Sequence, residues 1–144
     1  MYTIDANVFV RDATPWTEHG AVSQALMAEL RAQQIVLIEP MILLAEIAGP
    51  LSRLYHDPMR GRVYTSILID LPQLQLVSID APLGQSAADL AADLGLRGMD
   101  AIYVAVAQAY GCTLVSLDDD VQRAAHLLPV RTPAQALDEL SNVA

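Results

Sequence analysis

Four carboxylates stand inside apolar sequence: Asp5 in Tyr2-Thr3-Ile4-Asp5, Glu46 in Leu43-Leu44-Ala45-Glu46-Ile47, Asp100 in Met99-Asp100-Ala101-Ile102, and Asp118 at the end of Leu114-Val115-Ser116-Leu117-Asp118. Buried acids are tolerated when they are protonated, paired or bound to a metal. Too few cations lie near these four in sequence to pair them all, so a shared divalent ion is the simplest account. Oxygen ligands without histidine or cysteine select Mg²⁺ or Mn²⁺ over zinc, and His19, His56 and His126 fall in none of the four stretches. Magnesium keeps several waters and shares its shell with substrate phosphates. An all-acid site therefore points to phosphoryl chemistry, in which metal ions activate water and neutralise charge on the leaving oxygen.

Each acid also has a plainer reading. Asp5 and Asp118 could cap the helices that follow them. Glu46 could face solvent through a gap in its helix, although its neighbours on both sides are apolar. Asp100 stands in the first turn of a helix, where the macrodipole favours an anion regardless of catalysis. Asp119 and Asp120 read as solvated first-turn acids. If the four acids do converge, crowding has a consequence: at an effective dielectric near 20, two charges ~4 Å apart repel by about 4 kcal/mol. The metal-free site should then be strained, with one acid titrating high.

The elements that must position these acids follow from apolar spacing. A chain of 144 residues with 53% hydrophobic and 17% charged residues can bury a core of its own as one domain, 1–144. A short strand at Tyr2 to Ile4 precedes Val8, Phe9 and Val10 and a break at Thr14-Pro15. Val22, Leu26, Met27 and Leu30 predict a helix from His19 to Gln34. Ile35 to Ile38 reads as a wholly apolar strand. Pro40 suits the first turn of the next helix, which carries Glu46 and is kinked or interrupted near Gly49-Pro50. A further helix spans Asp57 to Leu71, a strand Leu74 to Ile79, and a helix Ala81 to Leu94 capped by Gly95. Asp100 to Tyr110 is apolar nearly all round and should be central. Thr113 to Leu117 is a strand, Asp119 to Leu127 a short helix, Pro129 to Arg131 an edge strand, and a last helix runs from Pro133 to Leu140 with Thr132 as N-cap. This alternation, without a glycine-rich linker, predicts a single α/β/α sandwich around a central parallel sheet of four to five strands. Asp5 and Asp118 would each follow a strand directly, on the rim where open α/β sheets bind ligands.

Composition excludes several functions. There is no lysine; all eight cations are arginines. Walker-type phosphate loops and Schiff-base enzymes both need one. The lone Cys112 forms neither an internal disulfide nor a thiolate cluster and reads as core. No apolar run approaches the ~18 residues of a membrane helix, and a cytosolic protein is expected. A net charge of −9 repels phosphate backbones and favours basic partners.

Taken together, the residues resemble the PIN-domain nucleases, and among them the VapC-type toxins of bacterial toxin–antitoxin pairs. The resemblance rests on Asp5-Ala6-Asn7, on the apolar helix carrying Glu46 after Pro40, on Gly98-Met99-Asp100-Ala101 opening an alanine-rich helix, and on Leu114-Val115-Ser116-Leu117-Asp118, in the family's order and approximate spacing. It implies a PIN-like fold and an Mg²⁺- or Mn²⁺-dependent endoribonuclease whose site joins Asp5, Glu46, Asp100 and Asp118. Asp5 and Asp100 would be direct ligands, Glu46 would bind directly or through water, and Asp118 would complete a second position. Asn7, Ser116 and Asp120 would support them. The family cleaves structured RNA, often transfer or ribosomal RNA, and is held inactive by a cognate antitoxin. A cationic antitoxin tail suits the acidic rim better than RNA does, and apolar helical surfaces suit a homodimer.

Arg53, Arg60 and Arg62 are candidates for gripping the RNA backbone, since arginine forks bind phosphate bidentately. A solvated-surface reading of Arg60 and Arg62 stands beside this. Arg97, three residues before Asp100, could contact the scissile region or neutralise the acids. Receiver-type signalling domains need a lysine, and haloacid-dehalogenase-type phosphatases need an acid where Asn7 stands. The alternatives left open are a non-catalytic PIN-like binding or scaffold subunit and a PIN nuclease outside toxin–antitoxin systems.

Overall fold

In the computed structural model, which describes residues 1–143, strands and helices alternate along the chain. β1 (Tyr2–Ile4) leads into α1 (Ala6–Asp12) and α2 (Gly20–Ala32). β2 (Leu37–Pro40), α3 (Leu43–Tyr55), α4 (Pro58–Ile69) and β3 (Leu74–Val77) follow. The remainder is α5 (Ala81–Leu94), α6 (Gly98–Tyr110), β4 (Thr113–Val115), a 3-10 turn (Asp119–Ala124), β5 (Val130–Arg131) and α7 (Pro133–Val143). The five strands form one parallel sheet in the order β3-β2-β1-β4-β5, flanked by helices as an α/β/α sandwich.

The order of strand addition reverses between β1 and β4: β2 and β3 are added on one side of β1, β4 and β5 on the other. The carboxyl ends of β1 and β4 therefore sit side by side at the switch point, with Ile4 in register with Val115. This brings Asp5 and the Ser116 to Asp118 segment to one rim. α6 packs across β1, β2 and β4. Its all-round apolarity has the expected result: Ala101 and Tyr103 to Ala107 are buried, as is Asp100.

Between β1 and β2 the backbone ladder is short, with Tyr2 in register with Leu37 as the single pair. Beyond it, side chains stitch the strands. Thr3 Oγ1 donates to the Ile38 carbonyl at 2.8 Å, and the Ile4 amide donates to Glu39 Oε1 at 2.7 Å. An amide that would otherwise be orphaned in the core is thereby paired.

Three sequence expectations are corrected. Pro40 ends β2, in register with Val77, and does not open a helix. Met41 supplies the amide that proline lacks, donating to the Val77 carbonyl at 2.8 Å. α3 continues through Gly49-Pro50 without interruption, although proline leaves the carbonyl four residues back, that of Glu46, without its helical donor. The segment after Asp118 closes as a 3-10 turn ending at Ala124, not as a helix to Leu127. The other boundaries differ from expectation by one to three residues, as fraying ends do.

Candidate active site

The acid at each strand end is fixed by local sequence before any tertiary contact acts on it. Asp5, in extended conformation, N-caps α1: its Oδ1 accepts from the Asn7 amide at 3.3 Å. Asp118 caps the 3-10 turn in the same way, its Oδ1 accepting from the Asp120 amide at 2.9 Å. The capping reading of these two residues holds, and in each the cap uses one carboxylate oxygen, Oδ1.

Behind Asp5 lies a closed hydrogen-bond network across the switch point. Ser116 Oγ donates to Asp5 Oδ2 at 2.6 Å and accepts from the Asp118 amide at 3.0 Å. Asn7 Nδ2 donates to Asp5 Oδ2 at 2.9 Å and to Ser116 Oγ at 3.2 Å, while Asn7 Oδ1 accepts from the Leu117 amide at 3.2 Å. Burial pushes the Asp5 carboxyl up to about 6; the Ser116 and Asn7 bonds pull against this, and the Asp100 and Glu46 charges add to it. Asp5 is thus an acid that titrates high, through burial first and its acidic neighbours second.

The other two acids come from helices. Asp100, in the first turn of α6, is buried. Glu46, in the first turn of α3, is half-buried, and its Oε2 accepts from the Tyr103 hydroxyl on α6 at 2.8 Å. Burial and the Glu46 charge hold that phenol strongly against ionisation.

All four acids line one cavity of about 1000 Å³. Asn7, Arg11 and Arg97 contribute the other polar groups, and Val10, Pro50, Leu54, Ala87, Ala91 and Ile102 form an apolar wall. The Arg97 guanidinium spans two of the acids: Nε donates to Asp100 Oδ2 at 3.0 Å and Nη2 to Asp118 Oδ2. Among the described residues, no three His, Cys, Asp or Glu side chains close on a common point. The carboxylates share the cavity without converging on one point. Their chemistry fits a hard divalent ion: the ligating groups are all oxygens, no lysine, histidine or cysteine lines the cavity, and a cation already stands between two of the acids.

Several sequence candidates lie elsewhere. Asp120 is outside the cavity wall; its backbone supports Asp118, while its carboxylate pairs with Arg123 Nη2 at 2.8 Å. Ser116 is buried behind Asp5, not exposed to the cavity. Arg53, Arg60 and Arg62 are exposed and do not line it. Arg60 stacks over the Tyr55 ring at 4.9 Å, and Arg62 reaches Met59.

Three residues escaped the sequence reading. Arg11 lines the cavity and stands one helical turn beyond Asn7, a spacing that puts both on one face of α1. Tyr103 follows Asp100 by three residues on α6, which gave the same kind of signal. Glu39 is a fifth carboxylate in apolar sequence, within Val36-Leu37-Ile38-Glu39-Pro40. It is fully buried, its Oε2 has no partner, and burial holds its carboxyl well above the usual carboxylate range, with the Asp5 charge adding to the effect.

The sequence model of the PIN domain matches residues 2–127. No curated protein matches the chain. Among solved structures, the chain is similar to Mycobacterium tuberculosis VapC20, described as a sarcin–ricin loop cleaving toxin, with a TM-score of 0.74 at 17% identity over 91% of this chain and 99% of that one. It is similar to a chain of Rickettsia felis VapBC2 bound to a promoter DNA fragment, with a TM-score of 0.67 at 16% identity over 91% and 97% of the two chains. Neisseria gonorrhoeae FitAcB gives a TM-score of 0.67 at 19% identity over 93% and 99%.

Proposed function

We propose that this chain, which belongs to the PIN-domain family, is a divalent-metal-dependent endoribonuclease and the toxin of a toxin–antitoxin pair. The observation that carries the reading is the meeting of Asp5, Glu46, Asp100 and Asp118, from four separate segments, on the wall of one cavity at the sheet's switch point. Asp5 and Asp100 would hold Mg²⁺ or Mn²⁺ directly, with Glu46 and Asp118 completing the set. The ion would neutralise charge on the scissile phosphate and lower the pKa of an attacking water.

The chain's own residues supply orientation. Ser116 and Asn7 fix the Asp5 carboxylate from behind, and Tyr103 fixes Glu46 across the gap between α6 and α3. Such outer contacts set ligand direction and basicity. Arg11 and Arg97 are the cavity's only cationic side chains among the described residues and are placed to meet phosphate there. Arg53, Arg60 and Arg62, being outside the cavity, would contact RNA flanking the cut.

A net charge of −9 supports a cationic antitoxin tail as the inhibitory partner. The toxin–antitoxin complexes among the structural relatives support the same partner. A homodimer belongs to the proposal as well, and the exposed apolar side chains Met59, Val63 and Ile67 along α4 offer surface for either partner.

The test is cleavage of labelled transfer RNA and ribosomal RNA fragments with Mg²⁺, with EDTA, and by Asp100→Asn. Cutting that needs the metal and disappears in the variant is expected. RNA binding without cutting in any of the three would identify a binding subunit instead.

A further inference from the structure

Arg97 is placed oddly for a structural arginine. It is the N-cap residue of α6, where it makes no side-chain cap and where the helix dipole is unfavourable to a cation. Its side chain is 71% exposed, and ion pairs so wetted contribute little to folding. Yet its fork joins two carboxylates 18 residues apart in sequence, meeting Oδ2 of Asp100 through Nε and Oδ2 of Asp118 through Nη2. Asp118 Oδ1 accepts from the Asp120 amide. Oδ2, the Asp118 oxygen with no backbone donor, is the one that Arg97 holds.

We infer that Arg97 is a built-in counter-cation that occupies the gap between Asp100 and Asp118 in the metal-free protein and must swing out before a divalent ion can use Asp118. The inference rests on the metal-site reading of the same acids. The residue lies outside the helix body, and its exposed side chain has open solvent to move into. A latch closed about nine-tenths of the time would weaken the apparent metal affinity about tenfold, because only the open fraction binds. Metal loading would thus be set by a contact within the chain as well as by the ligands.

Two measurements on the full-length protein test this. In EDTA, beside the Arg131 Nε–H that Glu139 holds, nitrogen-15 NMR of the arginine side chains should show one further Nε–H protected from exchange, that of Arg97. That signal should be lost in Arg97→Gln and moved in Asp118→Asn, and saturating Mg²⁺ should move it to the position of the free arginines. Calorimetric titration with Mn²⁺ should give binding about tenfold tighter in Arg97→Gln than in the wild type, with Arg97→Lys between them. No protected Arg97 Nε–H in EDTA, or equal Mn²⁺ affinity in all three proteins, overturns the latch and leaves the metal site standing. A protected Arg97 Nε–H that Mg²⁺ leaves in place, while Mn²⁺ binds, also overturns it. Absence of Mn²⁺ binding in both wild type and Arg97→Gln removes the metal-site reading and the latch with it.

Discussion

Asp5 joins local structure to the site in one side chain. Its cap oxygen faces the Asn7 amide, its other oxygen meets Ser116 and Asn7, and burial with two acids nearby raises its carboxyl to about 6. A raised carboxyl pKa contributes stability that is full below its ordinary value near 3.8 and is lost as pH rises through about 6. Asp5→Asn keeps an acceptor for the Asn7 amide and carries no charge. It should abolish cleavage while leaving the metal-free protein as stable as the wild type or more so, the advantage growing between about pH 4 and pH 6; melting curves in EDTA across that range check this. Glu39 gives a sharper case, because nothing satisfies its second oxygen. Glu39→Gln retains an acceptor for the Ile4 amide, removes a group whose stabilising effect fades as pH rises, and should match or exceed wild-type stability at neutral pH. Glu39→Ala orphans that amide and opens a cavity, at roughly 2–4 kcal/mol by denaturant titration.

At the scale of elements, α3 carries Glu46 to the cavity wall and packs on α4 behind it, and the closeness of the two helices depends on Gly61. A Cβ at Gly61 would stand 2.4 Å from the Ala48 carbonyl oxygen and 2.9 Å from its Cα, so the helices would have to part. Gly61→Ala should cost about 1–3 kcal/mol by denaturant titration, and a change below a few tenths would mean that the two helices slide freely. The same scale explains what was legible. Helix and strand periods, the caps at Asp5, Asp118 and Thr132, and the Gly95 stop are written in neighbouring residues, and those elements fell near their expected places. Pro40 was misplaced because its local preference suits both a helix start and a strand end. Pairing with Val77 on a strand distant in sequence decided between them.

Over the whole molecule, negative charge dominates. With a net charge of −9 and four acids around one cavity, the metal-free protein should gain markedly from a divalent ion. Mg²⁺ or Mn²⁺ at ~100 times its dissociation constant should stabilise the fold by about 2.7 kcal/mol, readable as a thermal shift that Asp100→Asn diminishes. An unmoved melting temperature would count heavily against the site.

The sequence by itself determined the class of fold, the oxygen-only character of the candidate ligands and the sites of the caps, because residue type and short-range spacing act through local backbone physics. Only the tertiary structure decided who meets whom. Tyr103 reaches Glu46 across 57 residues, Glu39 reaches Ile4 across 35, and Arg97 reaches Asp118 across 21. Those partnerships depend on strand order and helix placement, which are set by burial of the whole core and leave no trace in the spacing of any one segment. Arg97 shows the division most clearly: its charge and its distance from Asp100 were legible, but its hold on Asp118 required β4 to lie beside β1.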